Sequence, residues 1–111
     1  MKKFSLICLS VSLLTVSVLD AAVYKGQREY VKRCRACHGD GQKFLHSRES
    51  MEWERLMKNN GKRLAEIHLD SEEAKKSWEY FKDSRYKQKA KHLKEFMIEY
   101  AEDSGNVPAC N

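Results

Sequence analysis

Within five consecutive positions the chain sets two cysteines and a histidine, Cys34-Arg35-Ala36-Cys37-His38, and this run constrains the fold more than any other stretch. Two cysteines separated by two residues and followed at once by histidine form the attachment pattern of a c-type haem. The spacing has a chemical reason. Two thiols three positions apart near a helix end can each form a thioether to one of the two vinyl groups of a porphyrin, and the next residue then offers its imidazole to the iron. The rival readings of the pair are weaker. A thioredoxin-like dithiol needs a strand before it and a βαβ frame after it, and the sequence contains neither pattern. A zinc site calls for further ligands at regular spacing, but no second CxxC or HxxxH follows. A disulfide between Cys34 and Cys37 would close a very small, strained loop.

The amino-terminal stretch explains why such a group is needed. Lys2 and Lys3 precede an uncharged run from Phe4 to Leu19, followed by Asp20, Ala21 and Ala22. A charged start, an apolar middle and a small-residue exit make a secretory signal peptide. The run is short of the roughly 20 residues that a spanning helix requires, so a cleaved leader over 1–21 is expected rather than a retained anchor. The remaining domain is 22–111, exported to the periplasm. Much of the 41% hydrophobic content of the 111 residues leaves with the leader, and a domain this small needs a disulfide, a metal or a cofactor to complete its core. A large flat macrocycle would fill that deficit.

Charge narrows the partners. Lys and Arg number 21 against 16 Asp and Glu, a formal net charge of +5, which is modest for nucleic-acid binding. Neither a nucleic-acid partner nor a stable membrane span is expected.

The mature chain reads as helical almost throughout, with one proline, Pro108, and no alternating run long enough for a strand. A first helix is expected over Lys25–Arg35, with Tyr30, Val31 and Cys34 on one face. Gly39-Asp40-Gly41 should break it and leave His38 at a turn. Ser50 is placed to cap a second helix carrying Met51, Trp53, Leu56 and Met57, stopped by Asn59-Asn60-Gly61. Leu64, Ala65, Ile67 and His68 suggest a short third turn, and Asp70 with Glu73 a capping box before Ala74, Trp78 and Phe81. The last helix should run from Tyr86 to Glu102 with Ala90, Leu93, Phe96, Met97 and Tyr100 along one side.

With CxxCH after the Tyr30/Val31 face, and Leu93, Phe96 and Tyr100 on a last helix, the chain resembles the class I c-type cytochromes, in particular small periplasmic monohaem members. The resemblance implies an all-α, cytochrome c-like domain wrapped around one covalently attached haem, in which a C-terminal helix crosses back over the first. It implies thioethers at Cys34 and Cys37, His38 as the proximal iron ligand, and one-electron transfer between a periplasmic dehydrogenase and the respiratory chain. Such a chain is not itself an enzyme, although it can serve as the electron-accepting subunit of a dehydrogenase, such as one oxidising sulfite.

The sixth iron ligand departs from that family. Class I members supply a methionine shortly before the last helix, and the window Ser77–Lys91 holds none. The candidates are His46, His68, His92, Met51, Met57 and Met97, or an open position. Core packing is the competing expectation for the three methionines, and plain helix positions for His92 and His68. An open position would favour a haem-based gas sensor instead of a carrier. A run of positive charge, Lys82, Arg85, Lys87, Lys89, Lys91 and Lys94, would steer docking to an acidic redox partner, while Glu49, Glu52 and Glu54 carry the opposite sign. Cys110 is left over, expected as a free thiol in the tail.

Overall fold

The computed structural model describes residues 18–107. The leader as far as Ser17, with Cys8, and the tail from Pro108, with Cys110, lie outside the described residues. Among the described residues the fold is all-helical, with no strand, and no helix is long and apolar enough to cross a membrane.

Helix α1 spans Val18–Arg33, beginning seven positions before the expected Lys25, and buries Val23, Gly26 and Tyr30 at spacings of three and four. Val31, expected beside Tyr30, is instead 41% exposed, because one further residue turns the side chain about 100° around the axis. The buried stripe meets α7, Tyr86–Glu99, which contributes Ala90, Leu93, Phe96 and Met97. Among the described residues these two helices form the most extensive pair. Gly26 lies at their crossing. A Cβ there would run into the carbonyl oxygen of His92 and lie 2.7 Å from the Phe96 Cβ, so the backbones approach only because that atom is missing. Helix α7 stops at Glu99 rather than Glu102. Ala101 turns extended, with ψ at 162°, and the Glu102 N–H donates to the Arg48 carbonyl at 3.0 Å.

Two short helices follow α1: α2, Arg35–His38, and α3, Gly41–Leu45. His38 thus closes α2 before Gly39 turns the chain. The sequence marks 39–41 as a break, yet Asp40 also starts α3 by accepting the Gln42 N–H at 2.8 Å. Tyr30 Oη donates to the Gly39 carbonyl at 2.7 Å, fixing the strand of chain just past His38 to the core.

Helix α4 spans Ser50–Leu56. Ser50 does not cap it as expected. Its N–H and its hydroxyl both donate to Asp103 Oδ1, at 2.8 and 2.6 Å, so the free N–H is satisfied by a carboxylate from the far end of the chain. Trp53 and Met57 are buried, and Met51, expected in the core, is 63% exposed. Helix α5, Lys58–Leu69, contains the left-handed run Asn59, Asn60 and Gly61, with φ of 53°, 55° and 73°. The expected stop is therefore a tight change of direction, made by the residue types that tolerate that conformation. Gly61 has a second constraint, since its carbonyl accepts from Tyr86 Oη at 2.7 Å and a Cβ would collide with the same hydroxyl. Beyond α5 a 3₁₀ segment, Glu72–Ser77, leads into α6, Trp78–Lys82. The Asp70/Glu73 capping box does not form: Asp70 ends α5, and Ser71 precedes the 3₁₀ segment without a side-chain cap.

Candidate functional site

One cavity of about 610 Å³ is lined by Cys34, Cys37 and His38 on one side and by Leu64, Ile67, His68 and Phe81 on the other. That volume falls in the roughly 300–1,000 Å³ range of ligand pockets. Phe44, Trp53, Leu56 and Met97 make much of the remaining wall, and Arg33 and Arg48 also border it, their guanidinium groups lying over the Tyr80 and Trp53 rings and that of Arg48 pairing with Glu52 at 3.3 Å. The three motif residues that the sequence singles out therefore share a single, mainly apolar chamber.

Each wall is built separately. On the first, Cys34 sits in the turn from α1 into α2 and Cys37 within α2, with the His38 N–H donating to the Cys34 carbonyl at 2.9 Å. The His38 ring stacks on Phe44 with centroids 4.3 Å apart. Phe44 in turn meets Trp53 edge-on at 5.3 Å, and Trp53 Nε1 donates to the Leu45 carbonyl at 3.0 Å. On the second wall His68 is held from three directions. Its Nδ1 donates to the Leu64 carbonyl at 2.7 Å, its own carbonyl accepts from Trp78 Nε1 at 2.8 Å, and its ring lies 4.4 Å from that of Phe81.

The ionisable groups follow from this burial. Desolvation pushes the Cys34 thiol up to about 12, assisted by the negative charges of Glu29 and Cys37. A thiol held protonated in this way is the reverse of the low-pKa thiolate on which dithiol redox enzymes depend. Desolvation, with a contribution from the charge of His68, lowers the pKa of His38, favouring the neutral imidazole that binds metals. Cys34 and Cys37 are not disulfide-bonded. Among the described residues no three His, Cys, Asp or Glu side chains gather around a point as a bare-ion site requires.

The candidate sixth ligands separate. His68 and Met97 line the cavity. His46 donates through Nε2 to the Asn106 carbonyl at 3.1 Å, and His92 faces a groove with Tyr24, Arg28 and Lys89. Met51 and Met57 border another hollow, beside Glu54 and Lys94. The row of basic residues is partly neutralised: Arg85 pairs with Asp83 at 2.9 Å, Lys89 with Glu29 at 3.5 Å, and Lys82 lies over the Trp78 ring. Lys87 and Lys91 remain exposed.

Sequence reasoning missed Phe44, Arg33 and Arg48 as parts of this chamber, along with Gly26 at the helix crossing. The two arginines flank the motif in sequence, and that proximity was the available signal. Phe44 belongs to a helix too short to show a periodic pattern. Compared with protein-family models, with curated proteins and with solved structures, the chain matches none.

Proposed function

We propose that this chain is an exported, single-haem c-type cytochrome that carries one electron at a time. The observation that carries the reading is the shared chamber: Cys34, Cys37 and His38 open onto one apolar cavity of about 610 Å³. The donor set fits the group. Cys34 and Cys37 would hold the macrocycle covalently, His38 would bind its iron, and Arg33 and Arg48 offer positive charge to its carboxylates. Haem held there supplies a reversible one-electron change at iron.

The chain's own residues do the rest. Phe44, Trp53, Leu56 and Phe81 give the chamber apolar walls, and the stacking of His38 on Phe44 sets the imidazole plane. The Tyr30–Gly39 bond fixes the backbone next to that ligand. The exposed Lys87 and Lys91 support docking to an acidic redox partner, with an exchange rate that falls as salt rises. A dehydrogenase in the same compartment suits that role, with this chain either as a freely diffusing carrier from it to the respiratory chain or as its electron-accepting subunit.

The test is a pyridine haemochrome assay on protein exported from a host with haem-attachment machinery. One haem c per chain, retained after acid-acetone extraction, is expected. Replacing both Cys34 and Cys37 with Ala should leave protein that loses its haem on the same extraction. A colourless wild-type protein from a competent host would overturn the reading.

A further inference from the structure

We propose that His68 is the second axial ligand, so that the haem iron is clamped between His38 and His68; this rests on the haem reading above. Both rings border the cavity, with centroids 6.0 Å apart and planes inclined edge-on at 75°. Two imidazoles on opposite sides of one metal, each bonded at about 2 Å with its ring centre about 1 Å further out, stand about 6 Å apart. The separation thus matches a single metal atom between them.

The environment of His68 is that of a prepared ligand. A carbonyl can only accept, so the bond to Leu64 at 2.7 Å places the proton on Nδ1 and leaves the Nε2 lone pair free. Metal-binding histidines commonly donate their second nitrogen to a backbone carbonyl, which fixes tautomer and ring direction. Trp78 Nε1 holds the backbone of the same residue at 2.8 Å, and Phe81 packs against its ring. Met97 is the rival on the cavity wall. It arises from α7 within the stripe packed against α1, and it is 2% exposed in the core cluster, where its thioether fills space.

Two imidazoles make a six-coordinate site closed to small molecules and poised at a lower potential than a histidine–methionine pair. The chain then works as a carrier and not as a gas sensor.

The decisive experiment is electron paramagnetic resonance with near-infrared magnetic circular dichroism on the purified haem-loaded protein, beside His68→Ala and His68→Met. The wild type should show a low-spin bis-imidazole signature and no Soret shift when the reduced form meets carbon monoxide. His68→Ala should become high-spin and bind carbon monoxide, and added imidazole should restore the original spectrum. If the alanine variant does not accumulate, His68→Met keeps a ligand in place and should move the spectrum to a thioether signature. A thioether signature in the wild type, or a spectrum unchanged in either variant, overturns the assignment while leaving the haem reading intact. Absence of covalent haem from the wild type overturns that reading, and the ligand assignment falls with it.

Discussion

The α1–α7 crossing and the cavity between α2–α3 and α5–α6 are built on different terms. At the crossing the chain supplies every atom: Gly26 lets the backbones touch, and Tyr30, Leu93 and Phe96 close around the contact. Around the cavity the same chain sets rings and aliphatic groups on two walls and leaves about 610 Å³ between them. The first region is complete as a helix pair. The second is a mould, edged by hydrogen bonds such as Tyr30 to Gly39 and Trp78 to His68, around a space that its lining side chains leave open. Half of this small domain thus folds by ordinary packing, and the other half keeps a mainly apolar space open.

That contrast can be broken at either end. The largest effect should come from Phe96→Ala at the crossing, where deleting a buried aromatic ring costs about 3–5 kcal/mol; chemical denaturation of the purified protein measures it. Gly26→Ala should follow, at about 1–3 kcal/mol, the usual penalty for forcing atoms into a filled interface. It should lower the melting temperature by several degrees or more in a circular dichroism scan. On the cavity side Trp78→Phe removes the donor shared by the His68 and Ser71 carbonyls and should cost about 1 kcal/mol. Hydrogen exchange should place the lost protection in α5 and the following 3₁₀ segment, with α1 and α7 unaffected. Equal loss in both regions would show that the two are one cooperative unit.

The smallest effect concerns acid. Donation from Ser50 lowers the pKa of Asp103 below its ordinary value, so the folded state favours the carboxylate. The stabilisation is present above the unfolded value near 3.8 and is lost as pH falls through the lower folded value. Asp103→Asn should flatten the decline in melting temperature as pH falls below 3.8, and an unchanged slope would remove this contact from the account.

The parts legible in the sequence were those written in local code. The last helix follows from the spacing of Ala90, Leu93, Phe96 and Met97, and the turn at Asn59-Asn60-Gly61 from residue types that accept positive φ. The three motif residues of the cavity were legible from their chemistry alone. What escaped was non-local. Ser50 looked like its own cap, but the carboxylate it meets is 53 residues away. Gly26 reads as a weak helix position until α7 is laid across it. His68 could be named only as one candidate among six, because its ring comes within 6.0 Å of that of His38 through a fold in which α5 turns back after Gly61.

Both tryptophans of the chain stand at this mould, Trp53 in one wall and Trp78 behind the other. Their emission is therefore a built-in optical gauge. A bound tetrapyrrole would quench both by resonance energy transfer, and light would return from each as its own wall swings away. With one indole replaced by phenylalanine in turn, a stopped-flow fluorometer could record which wall opens first.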